Sequence, residues 1–295
     1  MNLLSLAVID GMGIVRAAQL APRSRRQAEV KADKSLLTVT DKKVERAMAS
    51  RLGKIPGYRF KGEEGTETGS GQYTILVDPV DGTRPFVVGL CTSTVIAAVL
   101  DPDGLVIACV VGEPATGRVW SARSHTKTVL QIFDHDSWQI GKPRRVRVWK
   151  APATSMSTIW LDAAHAFARD KGERPILNQA QITHFVGSLM AGAKLSMAGS
   201  NGLHLALVAN GNEYAGGQVT TAVGGMWDIA PVLLVLQAGG CARGFSICDG
   251  ALTEQNPLEL GACDIMVTAH NAAFLEEICR WLEDAVKRHP RKGGF

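Results

Sequence analysis

The sequence predicts an α/β (α+β) protein, and three observations predict it. Apolar residues recur at helical spacing near both ends. Runs of β-branched and apolar residues, bounded by Asp, Pro and Gly, fill the stretch from Tyr73 to Phe133. After Ala151 the pattern turns to helices alternating with short strands. Met1 to Leu20 is apolar, is interrupted by Asp10 and Arg16, and has no basic stretch before it. It reads as an amphipathic helix and not as a signal peptide. From Asp41, the residues Val44, Met48 and Leu52 recur every four positions, which predicts a helix with Asp41 near its N-cap. Tyr58 to Gly71 is rich in Gly, Glu and Thr and reads as a loop. Tyr73 to Val77 is a short strand that runs into Asp78-Pro-Val-Asp-Gly-Thr83. Thr92 to Leu100 and Leu105 to Val111 read as strand, turn and strand across Asp101-Pro-Asp-Gly104, and Arg118 to Ser121 and Val129 to Phe133 continue the strands.

In the second half, Ile159 to Leu161 reads as a strand and Ile182 to Ala193 as a helix. Leu203 to Ala209 is a further apolar segment. Trp227 to Ala238 reads as one helix that stops at Gly239-Gly240, with Pro231 tolerated in its first turn. Ile265 to Ala269 reads as a strand and Ala272 to Lys287 as a final amphipathic helix. The change of character places a boundary near residue 150, giving halves of 1–150 and 151–295.

Composition excludes several classes. With 46% hydrophobic, 20% charged and 6% aromatic residues in 295, the chain is neither disordered nor collagen-like. A chain of this length buries roughly three quarters of its unfolded surface and needs no disulfide staples. The net charge is only +4. The basic groups Arg23, Arg25 and Arg26, Lys142 to Arg147, and Lys287 to Lys292 read as solvated surface. No basic stripe with interleaved aromatics supports a nucleic-acid partner. The six cysteines include no C-x-x-C pair, so the usual zinc spacing is absent, and buried free thiols in a reducing cytoplasm are expected. Ile229 to Ala238 is too short to span a bilayer, and no membrane partner is expected. Asp134-His135-Asp136 reads as a polar turn, and His165, His184 and His204 as isolated.

The sharpest local feature is Asp78-Pro79-Val80-Asp81-Gly82-Thr83. Two acids three residues apart follow an apolar strand, and a tight turn there could aim both carboxylates and the Val80 carbonyl the same way. Hard oxygen donors of this kind suit Mg²⁺ or Mn²⁺. Gly82 frees backbone N–H groups for an anionic oxygen if a helix begins there. The hexapeptide by itself is equally compatible with a plain Asp-Pro/Asp-Gly turn. Lys61-Gly-Glu-Glu-Gly65 alone is a solvated acidic loop, and Asp228 in Gly225-Met-Trp-Asp228 alone reads as a helix N-cap.

Taken in order, Thr-Asp41, Gly-Glu63-Glu64, Asp78-x-x-Asp-Gly-Thr83 and Trp-Asp228 followed by Gly239-Gly240 resemble the inositol monophosphatase superfamily of Mg²⁺-dependent, lithium-sensitive phosphatases. The resemblance spans about residues 30 to 285. It implies a layered αβαβα sandwich of the inositol-monophosphatase/fructose-1,6-bisphosphatase kind, commonly a homodimer. It implies that Glu63, Asp78 and the Val80 carbonyl hold one metal, and that Asp78, Asp81 and Asp228 hold a second. Glu63 would also reach a third ion. Asp41 and Thr83 would orient and deprotonate the attacking water, and the backbone of Gly82 and Thr83 would receive the phosphate. Gly199-Ser200-Asn201 resembles the segment lining the substrate pocket. Lys31 stands near the position of a family lysine at the metal-water edge, one residue closer to Asp41 than usual.

The implied function is hydrolysis of a small phosphorylated metabolite, with an inositol-1-phosphate-like polyol as the leading substrate. Inositol-specific members carry an acid shortly after a Tyr, whereas here Glu213 precedes Tyr214 and Ala215-Gly216-Gly217 follow. Arg84-Pro-Phe-Val-Val-Gly89 is a little like the histidinol-phosphatase branch, and other branches take fructose 1,6-bisphosphate or 3′-phosphoadenosine 5′-phosphate. Some members bind the transcription machinery apart from catalysis, which keeps a non-catalytic role open.

Overall fold

A computed structural model describes residues 3–21, 28–31, 36–161, 176–221, 225–248 and 251–290. Arg23, Arg25, Arg26, His165 and Lys292 lie outside these residues.

The first half builds a two-stranded hairpin and one large sheet of mostly antiparallel neighbours. Helix α1 (Leu3–Leu20) is followed by the short hairpin β1 (Ala28–Val30) and β2 (Leu36–Thr38), then helix α2 (Val39–Leu52). Strands β3 (Tyr58–Gly62), β4 (Glu67–Thr68) and β5 (Tyr73–Asp81) lead into the short helix α3 (Thr83–Val88). Then come β6 (Thr94–Leu100), β7 (Val106–Glu113), β8 (Arg118–Arg123), β9 (Val129–Asp134), β10 (Gln139–Ile140) and β11 (Arg144–Arg145). The sheet order is β10-β9-β8-β7-β6-β5-β3-β4, with β11 on β9. Among the described residues, the β3–β5 pair is the only parallel one in this sheet.

The second sheet uses β12 (Thr158–Leu161), β13 (Lys194–Ser196), β14 (Ala215–Thr221), β15 (Cys241–Cys248), β16 (Ala251–Gln255) and β17 (Ile265–Ala269), in the order β13-β12-β14-β17-β15-β16. Its helices are α4 (Gln179–Gly192), α5 (Asn201–Ala209), α6 (Met226–Ile229), α7 (Val232–Gln237) and α8 (Ala272–Arg288).

Period-2 alternation sorts the first sheet into two faces. Ile75, Val77, Val95, Ala97 and Val110 point to one side, where Val8, Met12 and Val15 of α1 and Val44, Met48 and Leu52 of α2 cover them. Leu76, Ile96, Ala98, Val111 and Trp120 point to the other, where Leu205 and Val208 of α5 and Leu233 and Leu234 of α7 pack. In β17 Met266 joins this middle layer, while Ile265, Val267 and Ala269 face outward onto Phe185 and Leu189 of α4 and Ile278 and Leu282 of α8. The layers are therefore α, β, α, β, α. Each fully buried Val, Leu or Ile contributes about 1.5–3 kcal/mol over exposure, so the three apolar clusters between these layers supply the bulk of the folding force.

Helix α1 is long and apolar enough to cross a membrane by length and composition. In this fold Leu4, Ala7, Val8, Ile9, Met12 and Val15 are buried against the sheet, Asp10 pairs with Arg51 at 2.6 Å, and Arg16 donates to the Ala115 carbonyl at 2.9 Å.

Several expectations need correction. The stretch Tyr58 to Gly71 is not simply a loop, because β3 runs parallel to β5 and carries β4 as a hairpin partner. Asp41 does stand near the N-cap of α2, and its carboxylate accepts a backbone N–H there, that of Thr38. Thr38 is the cap and Asp41 stands at N3, completing a capping box in which each residue's side chain bonds the other's backbone. The helix expected from Trp227 to Ala238 breaks into α6 and α7 at Pro231, whose missing N–H leaves one turn without its bond. Of the thiols, Cys109, Cys263 and Cys279 are buried and free, but free Cys91 is exposed. Asp134 forms the expected polar turn, accepting from the Asp136 amide (2.9 Å) and the Ser137 hydroxyl (2.8 Å). His184 is not isolated, since it lies 3.0 Å from Asp284.

Candidate active site

Strand β5 delivers the acids. The expected tight turn after Val77 is instead a continuation of the strand with a bulge. Asp78 pairs with Ile96 and Asp81 with Thr94, so Pro79 and Val80 stand opposite the single Val95. On a regular strand residues three apart face opposite ways; one extra residue restores the parity and turns both carboxylates to the same side. Pro79 is tolerated there because a bulge leaves its missing N–H without a ladder partner to lose. Asp228, in the first turn of α6, completes the group: Asp78, Asp81 and Asp228 are all buried and offer ligand atoms within 4.8 Å of one another.

Asp81 is the best-held member. Its Oδ2 accepts from Thr94 Oγ1 (2.6 Å), Ser200 Oγ (2.5 Å) and the Gly202 amide (2.8 Å), and its Oδ1 accepts from the Asn201 amide (3.1 Å). Ser200 is fully buried and caps α5 through the Leu203 amide (3.2 Å), so it lies behind Asp81 as its support. Asp78 Oδ1 accepts from the Val80 amide at 3.0 Å. Gly82 has φ 84°, and a Cβ there would stand 2.7 Å from the Gly199 carbonyl oxygen. Glycine is thus required twice over, by the left-handed backbone and by the close approach of the 199–201 segment. Gly82 is also the N-cap of α3 with no side-chain cap, which leaves the first amides of that helix without a capping side chain.

Asp41 and Thr83 meet beside this cluster. Thr83 Oγ1 lies 3.3 Å from Asp41 Oδ1 and 3.0 Å from the Val80 carbonyl. Asp41 Oδ2 is held by the Thr38 amide (2.8 Å) and by the Thr38 hydroxyl. Lys31 stands 2.7 Å from Glu64 and 3.5 Å from Glu63. The structure thus brings Lys31, Asp41, Glu63, Asp78, Val80, Asp81, Gly82, Thr83, Gly199, Ser200 and Asp228 into one neighbourhood, with Ser200 facing an acid.

The electrostatics are those of crowded buried acids. Burial, then Glu63, Asp81 and Asp228, push Asp78 well above the carboxylate range. Burial raises Glu63 to about 7, against the pull of Lys31. Burial also raises Asp81 against its four donors, and Asp41 against Thr38 and Thr83. For Lys31 burial pulls downward, but Glu63, Glu64 and Asp41 outweigh it and hold the ammonium above its ordinary value. Glu64 Oε1 is buried without a hydrogen-bond partner. Hard oxygen donors whose ionised forms repel one another, with an orphaned carboxylate oxygen at the edge, fit divalent cations.

A pH dependence follows. Glu63 ionises near 7 when folded and near 4.5 when unfolded, so between those values the folded state binds more protons. Stability without divalent ions is then greatest at low pH within this window and is lost as pH rises through it. We expect a metal-free melting temperature higher at pH 5.5 than at pH 8, and a larger increase on adding Mg²⁺ at pH 8. Thermal denaturation at both pH values, with and without Mg²⁺, checks this; equal increments would refute it.

Three supporting side chains escaped the sequence reading: Thr38, Thr94 and Glu45. Thr94 sat inside an expected strand with nothing to mark its hydroxyl. Glu45 is buried on α2, one turn after Asp41, and its position beside the apolar Val44 was the one available signal.

The chain matches the model of the inositol monophosphatase family over residues 5–286. No curated protein is significantly similar to it. Among solved structures it is similar to the extragenic suppressor protein suhB of Bartonella henselae, at 21% identity and a TM-score of 0.73 over 96% of this chain and 98% of that one. It is similar to the IMPase of Thermotoga maritima at 18% identity and a TM-score of 0.72, over 96% of each chain. A third is an inositol monophosphatase-fructose 1,6 bisphosphatase, at 14% identity and a TM-score of 0.67 over 95% of this chain and 98% of that one. These identities carry the shared layered fold, and the family match extends from α1 to the last helix. The chain belongs to the inositol monophosphatase family.

Proposed function

We propose that the protein is a Mg²⁺-dependent phosphomonoesterase acting on a small polyol phosphate of the inositol-1-phosphate kind. The observation that carries this reading is the convergence of Asp78, Asp81 and Asp228 on one buried point beside the Asp41–Thr83 pair. Glu63, Asp78 and the Val80 carbonyl would hold one ion, and Asp78, Asp81 and Asp228 a second, with Mn²⁺ an acceptable substitute and a third weaker ion reached by Glu63. Bound there, such ions would make water a stronger nucleophile and offset the charge of the phosphoryl group.

The residues of the chain supply the rest. Thr83 can pass its hydroxyl proton toward Asp41 while its oxygen accepts a proton from water, and a carboxylate raised by burial is the better acceptor. The amides of Gly82 and Thr83, at the cap and first residue of α3, would receive the phosphate without a competing side-chain cap. Hydrolysis of this kind passes through a loose transition state with charge on the equatorial oxygens, so positioning and electrostatics dominate. Gly199 brings its carbonyl against Gly82 and shapes the wall beside the phosphate. Glu213 is exposed just before β14, and β14 itself contains no acid, so ring hydroxyls would be gripped by other groups.

The free Cys91, Cys109, Cys241, Cys263 and Cys279 suit a reducing compartment such as the cytoplasm. We also hold to a homodimer, for which exposed Val88, Leu90, Met190 and Met197 offer apolar surface.

The test is phosphate release with Mg²⁺ from inositol 1-phosphate, histidinol phosphate, fructose 1,6-bisphosphate and 3′-phosphoadenosine 5′-phosphate, with and without lithium. Preferred, lithium-sensitive hydrolysis of the first is expected. Preference for another member would move the substrate to that branch. No turnover of any of them with metal bound would overturn the catalytic reading in favour of a binding role.

A further inference from the structure

Glu45 is a buried carboxylate that the proposed chemistry does not use. Its Oε2 accepts from the Glu64 amide at 2.7 Å and its Oε1 from the Thr66 amide at 2.9 Å. The segment between these amides is the hairpin joining β3 to β4, closed by the Gly62 amide on the Thr66 carbonyl (2.9 Å). Glu63 sits in that hairpin. Its own amide donates to the Val77 carbonyl of β5 at 3.0 Å, one residue before Asp78. Glu45 is four residues after Asp41, so both project from one face of α2, a turn apart. Asp41 reaches Thr83, and Glu45 reaches the hairpin.

We propose that Glu45 is a positioning residue: through the Glu64 and Thr66 amides it fixes the Glu63 hairpin to the same helix face that holds Asp41. This rests on the reading of Glu63 as a metal ligand. A carboxylate is suited to the task because it accepts two N–H bonds in parallel, and charge-assisted bonds of this kind are about twice as strong as neutral ones. The site is also built to admit it. A Cβ on Gly62 would collide with the Glu45 carboxylate, and the three nearest atoms it would meet all belong to Glu45. Gly62 is not among the residues with positive φ, so alanine is conformationally allowed there and its closest conflict is with Glu45.

That conflict provides the test. Glu45→Ala, Gly62→Ala and the double variant are compared with the parent by two readouts: hydrogen exchange at the Glu64 and Thr66 amides, and Mn²⁺ binding by calorimetry. Each single variant should lose protection at both amides and bind Mn²⁺ about tenfold more weakly, as groups that orient metal ligands do. In the Glu45→Ala background, Gly62→Ala should add almost nothing, because the group it displaces is already gone. Glu45→Gln, which keeps one carbonyl acceptor, should restore protection at one of the two amides. Unchanged exchange and affinity in Glu45→Ala would overturn the proposal. So would equal damage from Gly62→Ala in both backgrounds. If the parent chain binds no Mn²⁺, the metal reading itself fails, and the exchange readout still decides whether Glu45 holds the hairpin.

Discussion

Asp81→Asn should lower kcat at least about 10³-fold, a transition-state loss of roughly 4 kcal/mol, in a chain that still folds. The reason lies in the crowd of donors around this one side chain. Thr94, Ser200 and Gly202 all donate to Oδ2, while Asn201 alone donates to Oδ1. An asparagine would keep its carbonyl at the three-donor position and turn its NH2 toward the Asn201 amide. Folding would then lose one hydrogen bond and leave one donor facing another, about 1–3 kcal/mol. That is tolerable in a domain with three packed cores. The charge, however, disappears from the metal cluster, and a neutral amide oxygen cannot offset a divalent cation as a carboxylate does. Steady-state phosphate release and circular dichroism on the same preparation separate the two effects. Near-normal turnover with normal metal binding would sink the assignment of Asp81.

Thr83→Ala should act differently, lowering kcat by about 10²–10⁴ while leaving divalent-ion affinity nearly unchanged. The hydroxyl touches Asp41 and the Val80 carbonyl, and in the proposed ligand set it holds no ion. Its loss would take away the relay toward Asp41 and leave the Asp78, Asp81 and Asp228 cluster intact. Thr83→Ser should recover most of the rate, since serine keeps the oxygen and its proton. Calorimetric Mn²⁺ binding beside kcat decides the matter. A Thr83→Ala variant that binds Mn²⁺ poorly would place Thr83 in the metal site and contradict the relay.

The legible parts of this protein are those written locally. Val44, Met48 and Leu52 announced α2, and Ile265 to Ala269 announced β17, because each pattern is set by the layer it faces. Asp78 and Asp81 stood out because Pro79 and Gly82 punctuate them. The mechanism that unites the two acids did not stand out. The sequence suggested a turn, but the structure uses a bulged strand, and the bulge depends on Thr94 and Ile96 of another strand. β15 and β16 were missed for a related reason. Cys-Ala-Arg-Gly-Phe has weak strand character, and β15 is held by pairing with β17 and β16. Asp228 and Glu63 entered the site only through the order of motifs, since their partners are more than a dozen residues away. Glu45 and Thr94 act across the fold on groups that no spacing rule connects to them.

The buried acids are expected to form a divalent-metal site beside a place for phosphate. Crystals grown with Mn²⁺ and inorganic phosphate, with data collected at the manganese absorption edge, test it most directly. Anomalous density is expected among Asp78, Asp81 and Asp228, with phosphate against the Gly82 and Thr83 amides. Manganese bound elsewhere, with Asp78 and Asp81 free of it and the phosphate away from Thr83, would contradict it.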